Sequence, residues 1–314
     1  MNHLVAFCSQ FSEREEQEWL KEISPLLHNV NIIPFYQLTN EQKKDVKVAI
    51  VANPNREKLA ELTNLQWVQS LWAGVENLLK ATADSNIEIV RMVDPMLSST
   101  MAEAVLAWTF YLHRDMPKYQ LQQRNKKWKQ HPLINQCDRK IGILGLGALG
   151  KASAKKLLEN GFSVSGWSRR PSDLNGVTCY HGKDGLVRIL KETNILICLL
   201  PLTNETKELL NRETLSILPK SASLINFSRG QIINEEDLLY CLNHNHLKHA
   251  VLDVFDEEPL PQTHPFWELS NITILPHISA PTNMSSASKL VAKNILNYLK
   301  AGDVPAAVKR EIGY

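Results

Sequence analysis

The sequence predicts an α/β protein built from two doubly wound, parallel-sheet domains. Three observations point there. At 314 residues the chain exceeds one ordinary α/β core, so two domains are expected. Short apolar runs alternate with helical patterns through the first hundred residues, and the alternation starts again at Lys140. Several later runs are continuously apolar, as strands covered on both faces require.

In the first series the spacing predicts strands at Leu4–Ser9, Val30–Phe35, Val46–Ala52, Trp67–Leu71 and Ile87–Val93. A helix is expected over Ser12–Leu27, where Ser12 is a capping residue and Trp19, Leu20, Ile23, Leu26 and Leu27 share one face. Residues Ser98 to Trp128 carry a long helical pattern that Pro117 kinks or interrupts, read as the crossover between domains. The second series predicts strands at Ile141–Leu144, Ser163–Trp167, Ile195–Leu199, Ser223–Asn226, His249–Val254 and Ile272–Leu275. A last helix is expected from Met284 to Leu299, ending near Gly302.

Composition removes several function classes. The net charge is +2, from 35 basic and 33 acidic residues, so no electrostatic footprint for nucleic acid stands out. The densest basic stretch, Lys126, Lys127 and Lys129, reads as a solvated helix end. The cysteines Cys8, Cys137, Cys179, Cys198 and Cys241 are odd in number and form no CxxC pair. They fit free thiols in a cytoplasm rather than a disulfide framework or zinc site. The first apolar stretch is strand-sized, so neither a signal peptide nor a membrane span is expected. His244, His246 and His249 resemble a metal cluster, but that spacing shares no helix face and no cysteine or acid completes it; no metal is expected.

A strand pattern, Ile141-Gly142-Ile143-Leu144, runs into Gly145-Leu146-Gly147-Ala148-Leu149-Gly150, and a helical pattern follows. This is the strand–turn–helix context a dinucleotide site needs. Gly145 permits the turn, Gly147 admits backbone to the pyrophosphate, and Gly150 allows helix and strand to pack closely. The helix start then offers N–H groups and a positive dipole end to phosphate. The next strand ends at Ser168-Arg169-Arg170. An NAD site usually carries Asp or Glu about 20 residues past the glycines. Here Ser168, Arg169 and Arg170 stand instead, a hydroxyl and two cations expected to read a 2′-phosphate, which favours NADP over NAD.

Three further segments fall at predicted strand ends, the side where open α/β sheets bind ligands. His277 can protonate a carbonyl oxygen that takes up negative charge during reduction. Glu258 can hold the other ring nitrogen and raise the imidazole pKa. Arg229 can bind a substrate carboxylate and polarise the carbonyl. Asp253 can accept a hydrogen bond from the nicotinamide carboxamide. Together these groups suit hydride transfer to a 2-oxo acid.

With Gly-Leu-Gly-Ala-Leu-Gly at 145–150, Asn-Phe-Ser-Arg-Gly at 226–230, Asp-Val-Phe-x-x-Glu-Pro at 253–259 and Pro-His-Ile-Ser-Ala at 276–280, the chain resembles the D-isomer-specific 2-hydroxy acid dehydrogenases. Within them it is most similar to the glyoxylate/hydroxypyruvate reductase A group, through Trp167-Ser168-Arg169, Leu260-Pro261, Pro265-Phe266-Trp267 and Gly313-Tyr314. The resemblance implies a Rossmann dinucleotide-binding domain, residues 99–281, inserted in a flavodoxin-like substrate domain of 1–98 plus 282–314. It implies Arg229, Glu258 and His277 as the catalytic set, with Trp72, Ala73, Gly74 and Val75 as the substrate loop. Further cofactor contacts are expected from Met101, Ala148, Leu149, Leu200, Pro201 and Thr206, and from Phe227, Ser228 and Ala280. Arg229 and His277 are expected to face both ligands. The active site would lie in the cleft between domains, and the protein would be a homodimer joined through the long helix region. Trp72 stands where many members have a small residue; its bulk restricts the pocket or packs beneath it.

The activity expected is NADPH-dependent reduction of short 2-oxo acids such as glyoxylate and hydroxypyruvate. Two alternatives stay open. One is an NAD-linked dehydrogenase of another 2-hydroxy acid, of D-lactate type; Ser168 and Arg169 weigh against it. The other is a non-catalytic, nucleotide-sensing protein of the co-repressor kind, against which the full catalytic set weighs.

Overall fold

Every strand pair is parallel, in two separate sheets. The computed structural model describes residues 3–313; Tyr314, half of the C-terminal pair used in the resemblance, lies outside the described residues. Two compact units account for the chain: Met1–Met96 with Thr282–Tyr314, and Leu97–Pro281.

The first unit holds β1 (His3–Ser9), β2 (Val30–Pro34), β3 (Val48–Ala52), β4 (Trp67–Ser70) and β5 (Glu88–Val90) in the order β2-β1-β3-β4-β5. That is the flavodoxin-like order, and its direction reverses between β1 and β3. β3 is buried at every residue, which explains its unbroken apolar run. The first helix, Glu13–Ile23, is started by a capping box: Ser12 accepts from the Glu15 N–H, and Glu15 accepts from the Ser12 N–H. The expected continuation to Leu27 is instead a 3₁₀ turn, Ser24–Leu26, because Pro25 has no N–H to extend the ladder. The last helix, Met284–Ala301, ends at Gly302 with φ of 82°. It buries Ala287, Val291, Ala292 and Ile295 against Val5, Phe7 and Trp19. Truncating the fully buried Ile295 to alanine would cost about 2–5 kcal/mol. After it, Arg310 donates to the carbonyls of Thr82 and Ile87, tying the tail to this unit.

The second unit holds β6 (Lys140–Leu144), β7 (Ser163–Ser168), β8 (Thr178–His181), β9 (Ile195–Cys198), β10 (Ala222–Asn226), β11 (Leu247–Leu252) and β12 (Ile272–Ile274). Their order is β12-β11-β10-β9-β6-β7-β8, a doubly wound sheet that reverses between β6 and β9. β8 escaped sequence reading because it is an edge strand with no buried residue. Predicted strand ends also move by one to three residues: β11 starts at Leu247 rather than His249, and β5 is only Glu88–Val90. The predicted helix over Ser98–Trp128 is two helices, Pro95–His113 and Met116–Arg124. The break is at Asp115, in the left-handed region with φ of 54°, and Pro117 sits in the first turn of the second helix, where its missing N–H costs nothing. Lys126, Lys127 and Lys129 therefore lie beyond the helix, not at its end. Among the described residues, no helix is long and apolar enough to cross a membrane.

Candidate active site

β6 delivers the chain into the glycine turn at the point where the strand order reverses. Gly145 adopts φ of 103°, and a Cβ there would stand 2.8 Å from the Leu199 carbonyl oxygen. Its N–H donates to the Trp167 carbonyl, which locks the turn to β7. Gly150 lies so close to Gly145 that a Cβ would come within 1.8 Å of the Gly145 oxygen. Gly147 differs: it is exposed, and a Cβ would meet nothing within 4 Å. The helix Ala148–Glu159 starts at once, with Gly147 as its cap and no side chain capping it. Open backbone beside uncapped N–H groups fits a pyrophosphate.

Beyond this turn, β7 brings Ser168, Arg169 and Arg170 to the same end of the sheet. The Ser168 hydroxyl donates to the Arg170 carbonyl at 2.7 Å, so its proton is already used within the turn. Arg169 Nη1 lies 3.1 Å from Glu205 Oε2. Met101, Leu200 and Phe227 are buried in the unit's apolar clusters. Thr206 accepts from the Thr203 N–H and donates to the Pro201 carbonyl, shaping the loop after β9. Ala280 packs half-buried against the cluster that contains Met101 and Phe227.

The catalytic candidates come together from three strand ends. After β10, Asn226 organises the turn: its Oδ1 accepts from the Ser228 N–H and hydroxyl, and its Nδ2 donates to the Arg229 carbonyl at 3.0 Å. Arg229 Nη1 also donates to the Ser228 carbonyl at 2.6 Å. The Ser228 hydroxyl is buried and lies 3.2 Å from Cys198 Sγ. Gly230 then seats this turn on the next segment: a Cβ there would stand 2.1 Å from the Phe255 carbonyl carbon.

That next segment, after β11, carries Asp253 and Glu258. Glu258 Oε1 accepts from the Phe255 N–H at 2.9 Å, and Oε2 meets His277 Nδ1 at 2.8 Å. Asp253 is buried, and its two oxygens accept from the N–H groups of Ile278 and Ser279 at 2.8 and 2.9 Å. It thereby holds the loop in which His277 adopts φ of 53°, a left-handed conformation that a non-glycine residue keeps only under constraint. Reading Asp253 as a nicotinamide ligand alone missed this clamp. Ser279 Oγ, also unforeseen, is buried and makes no hydrogen bond within the protein, as suits a group a bound cofactor would satisfy.

The electrostatics follow from this geometry. The hydrogen bond to Glu258 holds the His277 imidazolium above its ordinary pKa, outweighing burial and the nearby Arg229 charge. Burial alone would raise the Glu258 pKa, but the bonds from His277 and Phe255 outweigh it, helped by the His277 and Arg229 charges, and the carboxyl titrates below its usual range. The pair thus favours imidazolium beside carboxylate. The three histidines of the apparent metal cluster have separate partners: Tyr240, Leu215 and Thr273.

In the first unit, Trp72-Ala73-Gly74-Val75 forms the turn after β4. The Trp72 N–H donates to Ser70 Oγ, and its ring packs edge-on against Phe11 with centroids 5.8 Å apart. The indole is therefore part of the unit's packing, seated against its core cluster.

Comparison with known proteins agrees with this constellation. Residues 106–279 match the model of the D-isomer specific 2-hydroxyacid dehydrogenase, NAD binding domain. A glyoxylate/hydroxypyruvate reductase A of Yersinia enterocolitica is 39% identical over 302 residues, covering 94% of this chain and 95% of that protein. The fold is similar to a crystal structure of a D-isomer specific 2-hydroxyacid dehydrogenase from Xanthobacter autotrophicus in complex with NADPH and MES, with a TM-score of 0.93, 31% identity and 100% of each chain covered. An NADPH-dependent glyoxylate/hydroxypyruvate reductase of Sinorhizobium meliloti, solved with NADP and sulfate, gives a TM-score of 0.91 at 28% identity, covering 99% of each chain. With its glycine turn, its Arg–Glu–His set and more than half of its length matched, the chain belongs to the D-isomer specific 2-hydroxyacid dehydrogenase family.

Proposed function

We propose that the protein reduces short 2-oxo acids, glyoxylate and hydroxypyruvate among them, to 2-hydroxy acids with NADPH. The observation that carries this reading is the junction of Arg229, Glu258 and His277 at three adjacent strand ends, beside a glycine turn open at Gly147. When bound, NADPH supplies the hydride that adds to the carbonyl carbon. His277 donates the proton to the carbonyl oxygen from Nε2, because Nδ1 is turned to Glu258. Glu258 keeps the ring oriented and stabilises the imidazolium until that proton leaves. Arg229 pairs with the substrate carboxylate and polarises the carbonyl. In the loop Trp72–Val75 the Trp72 N–H is taken by Ser70 Oγ, so the backbone N–H groups of Ala73, Gly74 and Val75 are the ones assigned to the same carboxylate. Gly145, Gly147 and Gly150, with Ala148 and Leu149, receive the pyrophosphate, and Arg169 with Arg170 reads the 2′-phosphate. The deciding experiment is the initial rate with NADPH and, separately, NADH on glyoxylate, hydroxypyruvate and pyruvate. Fast NADPH-dependent turnover of the first two is expected, with loss of at least about a hundredfold in Arg229→Ala and His277→Ala. Wild-type rates in both variants would remove the assignment.

We further propose a homodimer joined through residues 116–134. Met116, Leu121, Leu133 and Ile134 are exposed there, and Trp128 is 99% exposed, an apolar concentration that suits a subunit interface. Light scattering on a sizing column is expected to give twice the monomer mass, falling toward one in Trp128→Asp. The five free thiols suit a reducing compartment, and we place the enzyme in the cytoplasm.

A further inference from the structure

The second strand of the dinucleotide sheet ends in Ser168-Arg169-Arg170, with no carboxylate of its own. A carboxylate nevertheless reaches this place from another loop. Glu205 Oε2 stands 3.1 Å from Arg169 Nη1, across the strand-order reversal from β7. Glu205 is held there by its own turn. Thr206 Oγ1 donates to the Pro201 carbonyl at 2.7 Å and accepts from the Thr203 N–H at 2.8 Å, and the Lys207 N–H donates to the Thr203 carbonyl at 2.9 Å. Both members of the ion pair reach solvent, with side chains 36% and 67% exposed. Such a pair is weak and exchangeable.

Its position makes it matter. A ribose 2′-hydroxyl is a donor that a carboxylate accepts, which is how NAD sites use Asp or Glu. A 2′-phosphate is a dianion or nearly so, which a guanidinium attracts and a carboxylate repels. The site therefore presents both readers side by side, joined to each other when neither is engaged. Resting on the reading of Arg169 as the phosphate ligand, we propose that Glu205 is a specificity-determining residue. It competes with the 2′-phosphate for Arg169, offers an acceptor to a 2′-hydroxyl, and so limits the preference for NADPH over NADH.

The test is equilibrium binding, without substrate, of NADPH and NADH to the wild type, Glu205→Gln and Arg169→Gln, followed by quenching of protein fluorescence. Adenosine 2′,5′-bisphosphate and 5′-AMP serve as competitors that carry the phosphate difference alone. Glutamine keeps the size and an acceptor but removes the charge. In Glu205→Gln the ratio of Kd for NADH to Kd for NADPH is expected to rise about fivefold, the scale of one exposed charge pair, and the bisphosphate is expected to bind more tightly at low salt than at 0.5 M. An unchanged ratio overturns the proposal. A fallen ratio also overturns it, since Glu205 would then be orienting Arg169 for the phosphate. The Arg169→Gln variant separates the two layers: a ratio unchanged there removes the phosphate reading itself, whatever Glu205 does.

Discussion

His277 Nδ1 and Glu258 Oε2 stand 2.8 Å apart, and each moves the other's titration toward the ion pair. The His277 pKa is raised, so its proton persists to higher pH than an ordinary histidine's and is lost as pH rises through the folded value. Reduction should therefore fall along an alkaline limb above the usual imidazole range. In Glu258→Gln that limb is expected to shift to lower pH and kcat to fall about 10²–10⁴-fold. A pH profile of kcat/KM checks it; an unmoved limb would show that another group sets it. The pair also stabilises the fold, most strongly between the two titrations. The His277 contribution is present below the unfolded histidine pKa and lost as pH rises. The Glu258 contribution is present above the unfolded carboxyl pKa and lost as pH falls through its lowered folded value.

Two glycines three residues apart should respond oppositely to one methyl group. At Gly147 a Cβ meets nothing and φ is −75°, so Gly147→Ala should leave the unliganded protein within about 0.5 kcal/mol of wild type. The methyl would occupy the place where backbone meets pyrophosphate, so NADPH binding should weaken about tenfold or more. At Gly150 the Cβ would overlap the Gly145 carbonyl, so Gly150→Ala should lose about 1–3 kcal/mol without any ligand. Urea unfolding and fluorescence titration on both variants separate the roles; equal stability losses would contradict the packing.

Asp253→Asn replaces two acceptors with one acceptor and one donor facing the N–H groups of Ile278 and Ser279. One of those N–H groups loses its partner, at about 1–3 kcal/mol. The left-handed backbone at His277 then loses its clamp. The expected outcome is a lower melting temperature together with kcat reduced about tenfold or more. Wild-type values for both would mean that the loop holds its shape unaided.

His249 tests the core of the second unit. Burial, aided by the Lys248 charge, lowers its pKa to about 4, and its Nε2 meets Thr273 Oγ1 at 2.8 Å. The unfolded chain then binds a proton that the folded chain refuses, so stability should fall as pH drops from about 6.5 toward 4. The full effect is about 3 kcal/mol. His249→Gln, which keeps a polar atom for Thr273, should flatten that slope; an equally steep loss in the variant would assign it to other groups.

Much of this architecture is legible in the residues. The Gly145–Gly150 turn, the apolar runs of β3, β9 and β10, and the break near Pro117 are local, because backbone freedom, strand burial and a missing N–H act within a few residues. So are the residue types of Arg229, Glu258 and His277, since hydride chemistry on a 2-oxo acid needs a cation, an acid and its partner. Edge strand β8 was silent, having no buried residue to mark it. Only the tertiary structure decided what those side chains touch. It made Asp253 a clamp of the His277 loop, drew the Ser228 hydroxyl inward to Asn226 and Cys198, packed Trp72 on Phe11, and set Glu205 against Arg169. Those pairs are 2 to 61 residues apart in sequence, and the longer ones exist because parallel strands bring distant loops to one edge of a sheet. Sequence patterns carry local period and chemistry; which loop faces which is fixed by strand order.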